Sequence, residues 1–141
     1  MLKSLTAAAA LSLAVMAPGF TAQAQDPTGP ALVDLLLNAV AEEFGLTLQS
    51  KAAGSLRQGA TATATLQIAG GGAAIIGVCD ENCSDVDMIV RDPSGREVGR
   101  DFEDDDTPLV FLETTTAGRY TVEMQMPGCN GTCNWGAAAY N

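Results

Sequence analysis

The residues best able to do chemistry lie in one stretch of twelve, Gly77-Val78-Cys79-Asp80-Glu81-Asn82-Cys83-Ser84-Asp85-Val86-Asp87-Met88, with two cysteines and four carboxylates. Cys129 and Cys133 repeat the spacing of Cys79 and Cys83, and an acidic run, Glu103-Asp104-Asp105-Asp106, lies between the two pairs. Three chemistries suit these residue types. Four thiolates hold zinc in a reducing cytosol, or pair as disulfides outside it. Carboxylates on flexible loops suit calcium, which takes about six to eight oxygen ligands. Asp80, Asp85, Asp87, Asp104, Asp105 and Asp106 are the candidate calcium ligands, although no EF-hand spacing is present. The bland alternative is a solvated acidic rim that hydrogen-bonds its own loops. Two carboxylates could also act as a hydrolytic acid/base pair, given a pocket that raises one pKa.

The chain has no histidine, which excludes Ser-His-Asp and Cys-His catalysis and histidine-based metal sites. Calcium is the one cofactor these residues suggest.

Compartment decides between the cysteine readings. Lys3, the apolar run Leu5 to Met16, the Pro18-Gly19 break and Ala22-Gln23-Ala24 together have the form of a cleaved signal peptide over residues 1–24. The apolar run is about half the ~20 residues a membrane span needs. Export to the periplasm or beyond makes disulfides the expected state of all four cysteines. Three pairings are open. Long-range pairs would close about fifty residues and contribute roughly 4 kcal/mol, against roughly 2 kcal/mol for a local loop of about five. The two matched spacings nonetheless favour Cys79–Cys83 and Cys129–Cys133, staples that each shape one loop.

Loss of Lys3 with the leader makes the formal charge of −10 one unit more negative. Such a surface repels nucleic acid and anionic membranes.

The elements that must position these residues follow in order. Residues 25–45 read as a linker and an amphipathic helix over Ala31–Phe44, with Leu32, Leu35, Leu36, Ala39 and Val40 on its apolar face. Pro30 suits its first turn and Gly45 the residue after its last. From residue 46 to 141 the period becomes two. Leu46–Gln49 is a short alternating run before a Lys/Gly/Ser turn region, and Thr61–Ile68 alternates cleanly. Strands are then expected near 73–78, 86–91, 96–101, 109–112, 120–126 and 133–140, with a loop over 127–132. About eight short strands with regular turns predict an all-β fold, an antiparallel jelly-roll-like sandwich with one N-terminal helix. Trp135, beside Cys133, suits a core packed on a disulfide better than a ligand-stacking face.

The segment Ala73–Tyr140 resembles the bacterial pre-peptidase C-terminal domain family, in a two-disulfide form. The resemblance rests on Ile75 through Met88, Asp92-Pro93-Ser94-Gly95, Asp101 through Pro108, Ala117-Gly118-Arg119-Tyr120-Thr121-Val122 and Met126 to Cys133. It implies a jelly-roll-like sandwich, often appended to secreted peptidases as a non-catalytic module. This chain carries no peptidase domain of its own.

Successive antiparallel strands reverse the chain, so their loops alternate between the two ends of a sandwich. Loops 79–85, 102–107 and 127–132 should therefore share one end, with all six candidate aspartates, Glu81 and Glu103. The expected role is a binding or accessory module for an unknown protein or extracellular ligand. A structural partner docking through the Leu32/Leu35/Leu36/Val40 face is the alternative, and a small carboxylate hydrolase the third.

Overall fold

The computed structural model describes residues 25–141; the expected signal peptide lies outside the described residues. Pro30 in the first turn and Gly45 in the left-handed conformation bracket α1, Gly29–Phe44. Eight strands follow: β1 Leu48–Arg57, β2 Thr61–Ile68, β3 Gly71–Cys79, β4 Cys83–Arg91, β5 Glu97–Asp101, β6 Leu109–Thr115, β7 Gly118–Cys129 and β8 Thr132–Tyr140. They form two four-stranded sheets, ordered β1-β8-β3-β6 and β2-β7-β4-β5, with every pairing antiparallel. Apart from the β4–β5 hairpin, each connection crosses from one sheet to the other. This is the jelly-roll arrangement.

Between the sheets, Leu66, Ile75, Met88, Val122, Met124 and both disulfides form the main core. Alternation sends the intervening residues outward, and the two outer faces differ. On the β1-β8-β3-β6 sheet those residues are apolar, so Ala74, Ile76, Val78, Ala138 and Tyr140 bury a second cluster under Val33 and Leu37 of α1. This is the covered sheet; the other is bare. Gly136 lets the helix close on it, since a Cβ there would lie 2.6 Å from Val33 Cγ1. The Tyr140 hydroxyl donates to the Leu37 carbonyl at 2.7 Å, and burial pushes the phenol up to about 12. Burying a leucine such as Leu37 contributes about 1.5–3 kcal/mol.

Three expectations need correction. The buried helical stripe is Val33, Leu36, Leu37, Val40 and Ala41, and Leu35 is half exposed. α1 is apolar on more than one flank, and the sheet beneath selects which flank is buried. The segment expected to turn after Gln49 continues as β1 to Arg57, paired with β8 from Leu48↔Tyr140 to Arg57↔Thr132. Gly54 belongs to that strand because the Trp135 indole lies against it, with Cζ2 2.8 Å from a Cβ built there. Lastly, β7 runs through Pro127 to Cys129, which pairs with Cys83 across register shifts in β4, leaving a shorter turn than 127–132.

Candidate functional site

The turns at 58–60, 80–82, 102–108 and 130–131 lie at one end of the sandwich. Asn130 N–H donates to the Asn82 carbonyl at 2.9 Å, and Val86 N–H to the Asp105 carbonyl at 2.9 Å. The disulfides join Cys79 to Cys83 and Cys129 to Cys133, with Cα separations of 5.9 and 6.0 Å. Although local in sequence, each bond links the covered sheet to the bare one, β3 to β4 and β7 to β8. Cys83 and Cys129 are register partners, so the clamps sit side by side. Trp135 is 3% exposed in the core beside them and offers no stacking face to a ligand.

The candidate aspartates divide. Asp80 is 2% exposed, and its carboxylate accepts the N–H of Asn82 (3.2 Å), the N–H of Asn134 (2.9 Å) and Asn134 Nδ2 (2.7 Å). That ties the first disulfide loop to β8. Asp85 and Asp87 remain with the acidic loop. Burial first, then the charges of Asp104 and Asp105, raise the Asp85 carboxyl; burial, then Asp85, Asp101 and Asp104, raise that of Asp87. One Asp85 oxygen, Oδ1, is shut from solvent without a hydrogen-bond partner. Asp106 lies apart, lining the groove described below. Among the described residues, no three Asp, Glu or Cys groups are placed to hold one metal ion. Asp85, Asp87, Asp104 and Asp105 form a mutually repelling rim. Neither Asp85 nor Asp87 lines any of the larger hollows, where an acid/base pair would meet substrate.

A large hollow lies elsewhere. A groove of about 470 Å³ runs between α1 and the β3–β6 side of the covered sheet, lined by Leu36, Ala39, Val40, Phe44, Val78 and Thr107, with Glu43 and Asp106 supplying charge. Phe44 is 69% exposed beside it. Further along β6, Phe111 is 72% exposed and borders a second apolar hollow with Leu46, Ala74 and Tyr140. Sequence reasoning missed Phe44 and Phe111 as surface residues. The outward position of Phe111 was readable from the alternation of Leu109-Val110-Phe111-Leu112, but not which outward face the helix would leave open.

Among the described residues no helix is long and apolar enough to cross a membrane. Neither a protein-family model nor a curated protein matches the chain. Among solved structures, it is similar to a periplasmic inhibitor of g-type lysozyme from Aeromonas hydrophila, with a TM-score of 0.46 and 17% identity over 65% of this chain and 87% of that one. It is also similar to the pre-peptidase C-terminal domain of a collagenase from Bacillus anthracis, with a TM-score of 0.50 and 14% identity over 65% of this chain and 89% of that one. In fold, the chain is a sandwich like that domain.

Proposed function

We propose that this chain is an exported, non-catalytic binding module of the pre-peptidase C-terminal type, and that its working surface comprises the groove at Phe44 and Val78 and the hollow at Phe111 on β6. The observation that carries the reading is the exposure of two phenylalanines, Phe44 at the groove and Phe111 at the second hollow, on a sandwich clamped by two disulfides. Large apolar side chains gathered on one face mark an interaction site. Two disulfides suit an oxidising compartment, and the motifs between Ala73 and Tyr140 support the family kinship.

The assembly reading falls on nearly the same surface. Leu36 and Val40, two members of the expected docking face, line the groove, and the half-exposed Leu35 lies on the same helix. A photo-crosslinking residue at position 111, compared with one at position 65 on the bare sheet, tests both readings in exporting cells. Adducts of defined mass at 111 and not at 65 are expected. Equal labelling, or labelling at neither position, overturns the proposal.

For the acidic end we infer relief by diffuse counterions. Calcium and magnesium at equal millimolar concentration should then raise the melting temperature of the oxidised protein equally over chelator alone. A rise specific to calcium would instead assign Asp85, Asp87, Asp104 and Asp105 to a calcium site.

A further inference from the structure

We propose that the open edge of β6 is a strand-docking site for an extended segment of another exported protein, in which cationic residues alternate with apolar ones. This rests on that working surface and names what would fill it.

The edge is defined by register. Among the described residues, β6 ends the covered sheet and pairs only with β3. The Gly77 N–H donates to the Pro108 carbonyl at 2.8 Å, which makes 77·108 a hydrogen-bonded pair. Bonded and non-bonded pairs alternate in an antiparallel ladder. Ile75↔Val110 is therefore bonded, while Ile76↔Leu109 and Ala74↔Phe111 are not. The backbone groups of Leu109 and Phe111 consequently face the open side. Leu109 N–H confirms that direction, because the Asp101 carboxylate takes it there at 2.8 Å. The N–H and C=O of Phe111 are presented to an incoming strand.

Side chains agree with the backbone. Leu109 and Phe111 share the outer face and are 37% and 72% exposed. Edge strands are normally guarded by lysines, prolines or bulges against pairing with other chains. β6 spans seven residues; its one charge is Glu113, and a register shift against β3 between Leu112 and Thr115 confines the regular edge to Leu109–Leu112. An added strand would gain main-chain hydrogen bonds from β6 and lay alternate side chains against Phe111 and the groove.

Charge selects the occupant. Glu43 and Asp106 line the groove, Glu113 lines the hollow beyond Phe111, and Asp101 caps the edge. Among the described residues, no lysine or arginine lines either hollow. The nearby arginines are engaged on the bare sheet, Arg91 with Glu97 and Glu123, and Arg100 with Glu97 and the Phe102 ring. A second copy, itself at −10, would bring like charges together, whereas a lysine- or arginine-bearing strand meets an attractive field.

The test titrates the isotope-labelled, oxidised protein with a seven-residue peptide alternating lysine with valine and phenylalanine. Two comparison peptides replace lysine by glutamate or N-methylate alternate amides. The lysine peptide should bind about ten-fold more tightly than either, a difference of about 1.4 kcal/mol. Binding should shift the Phe111 and Leu112 amides, weaken with added salt, and weaken about ten-fold in Phe111→Ser. Phe111 is exposed enough for that variant to fold, and the N-methylated peptide gives the same answer without any variant. Equal affinity for the glutamate peptide, shifts confined to another face, or self-association through this edge would overturn the proposal. Were the peptide to fail while position 111 still crosslinked a partner, the groove would stand and only the partner's chemistry would fall.

Discussion

The two outer faces of this sandwich come from the same strand alternation and end in opposite states. On the bare sheet the outward positions of β2 and β7 are Thr63, Thr65, Gln67, Thr121, Glu123 and Gln125, which need no cover. On the covered sheet the corresponding positions of β3 and β8 are Ala74, Ile76, Val78, Ala138 and Tyr140. A sheet apolar on both faces must bury both. α1 covers the β1–β8–β3 side and stops short of β6. The difference shows where function can reside: Phe111 lies on the part of an apolar face that the helix does not reach.

Substitutions on the two faces should separate widely. Leu37→Ala removes the helix anchor and should cost about 2–5 kcal/mol in denaturant unfolding, while Thr65→Ala on the bare sheet should stay within about 0.5 kcal/mol. Similar losses at both sites would mean that α1 is not held by this contact. Breaking Asp80 comes next. Asp80→Ala strands the Asn134 and Asn82 donors and should cost roughly 2–3 kcal/mol. Asp104→Ala, at the exposed rim of the same end, should cost nothing or stabilise slightly. An Asp80→Ala variant that melts like the parent would remove Asp80 from the structural role assigned to it.

The smallest effect concerns pH. The Asp85 and Asp87 carboxyls are raised in the folded chain, so the stability they withhold at neutral pH returns as pH falls toward the ordinary carboxylate range. Asp92 acts in the opposite sense. The Ser94 hydroxyl, then the N–H groups of Arg96 and Ser94, hold its carboxyl low, and its contribution is lost as pH falls below that range. Asp85→Asn should therefore raise the melting temperature at pH 7 and lose that advantage near pH 4. An advantage persisting at acid pH would point to packing rather than charge.

Much of this is legible in the sequence. Period-two alternation with regular turns specified a sandwich, and counting reversals brought the three acidic loops to one end. What alternation could not show was rotation. Val33 and Leu37 rather than Leu32 and Leu35 face the sheet, because a helix this apolar has two candidate stripes and only its partner surface decides. Nor could composition separate Asp80 from its neighbours. Its role depends on Asn134, more than fifty residues later in the chain but adjacent across the β3–β8 ladder. β1 was hidden by Lys51, Gly54 and Ser55, residues typical of turns. There they belong to an edge strand whose glycine makes room for Trp135.

The disulfides have a consequence for assembly. A jelly roll is dominated by pairings between distant parts of the chain, such as β1 with β8, and such topologies form slowly. Each cysteine here has its partner four residues away. A loop that short closes within about 100 ns or less, long before distant strands meet. Contact between paired thiols therefore does not wait for the core to assemble, and the oxidant sets the pace of bond formation. Once oxidised, both corners between the sheets are set, and the slow search is left only with joining strands whose turns already point the right way.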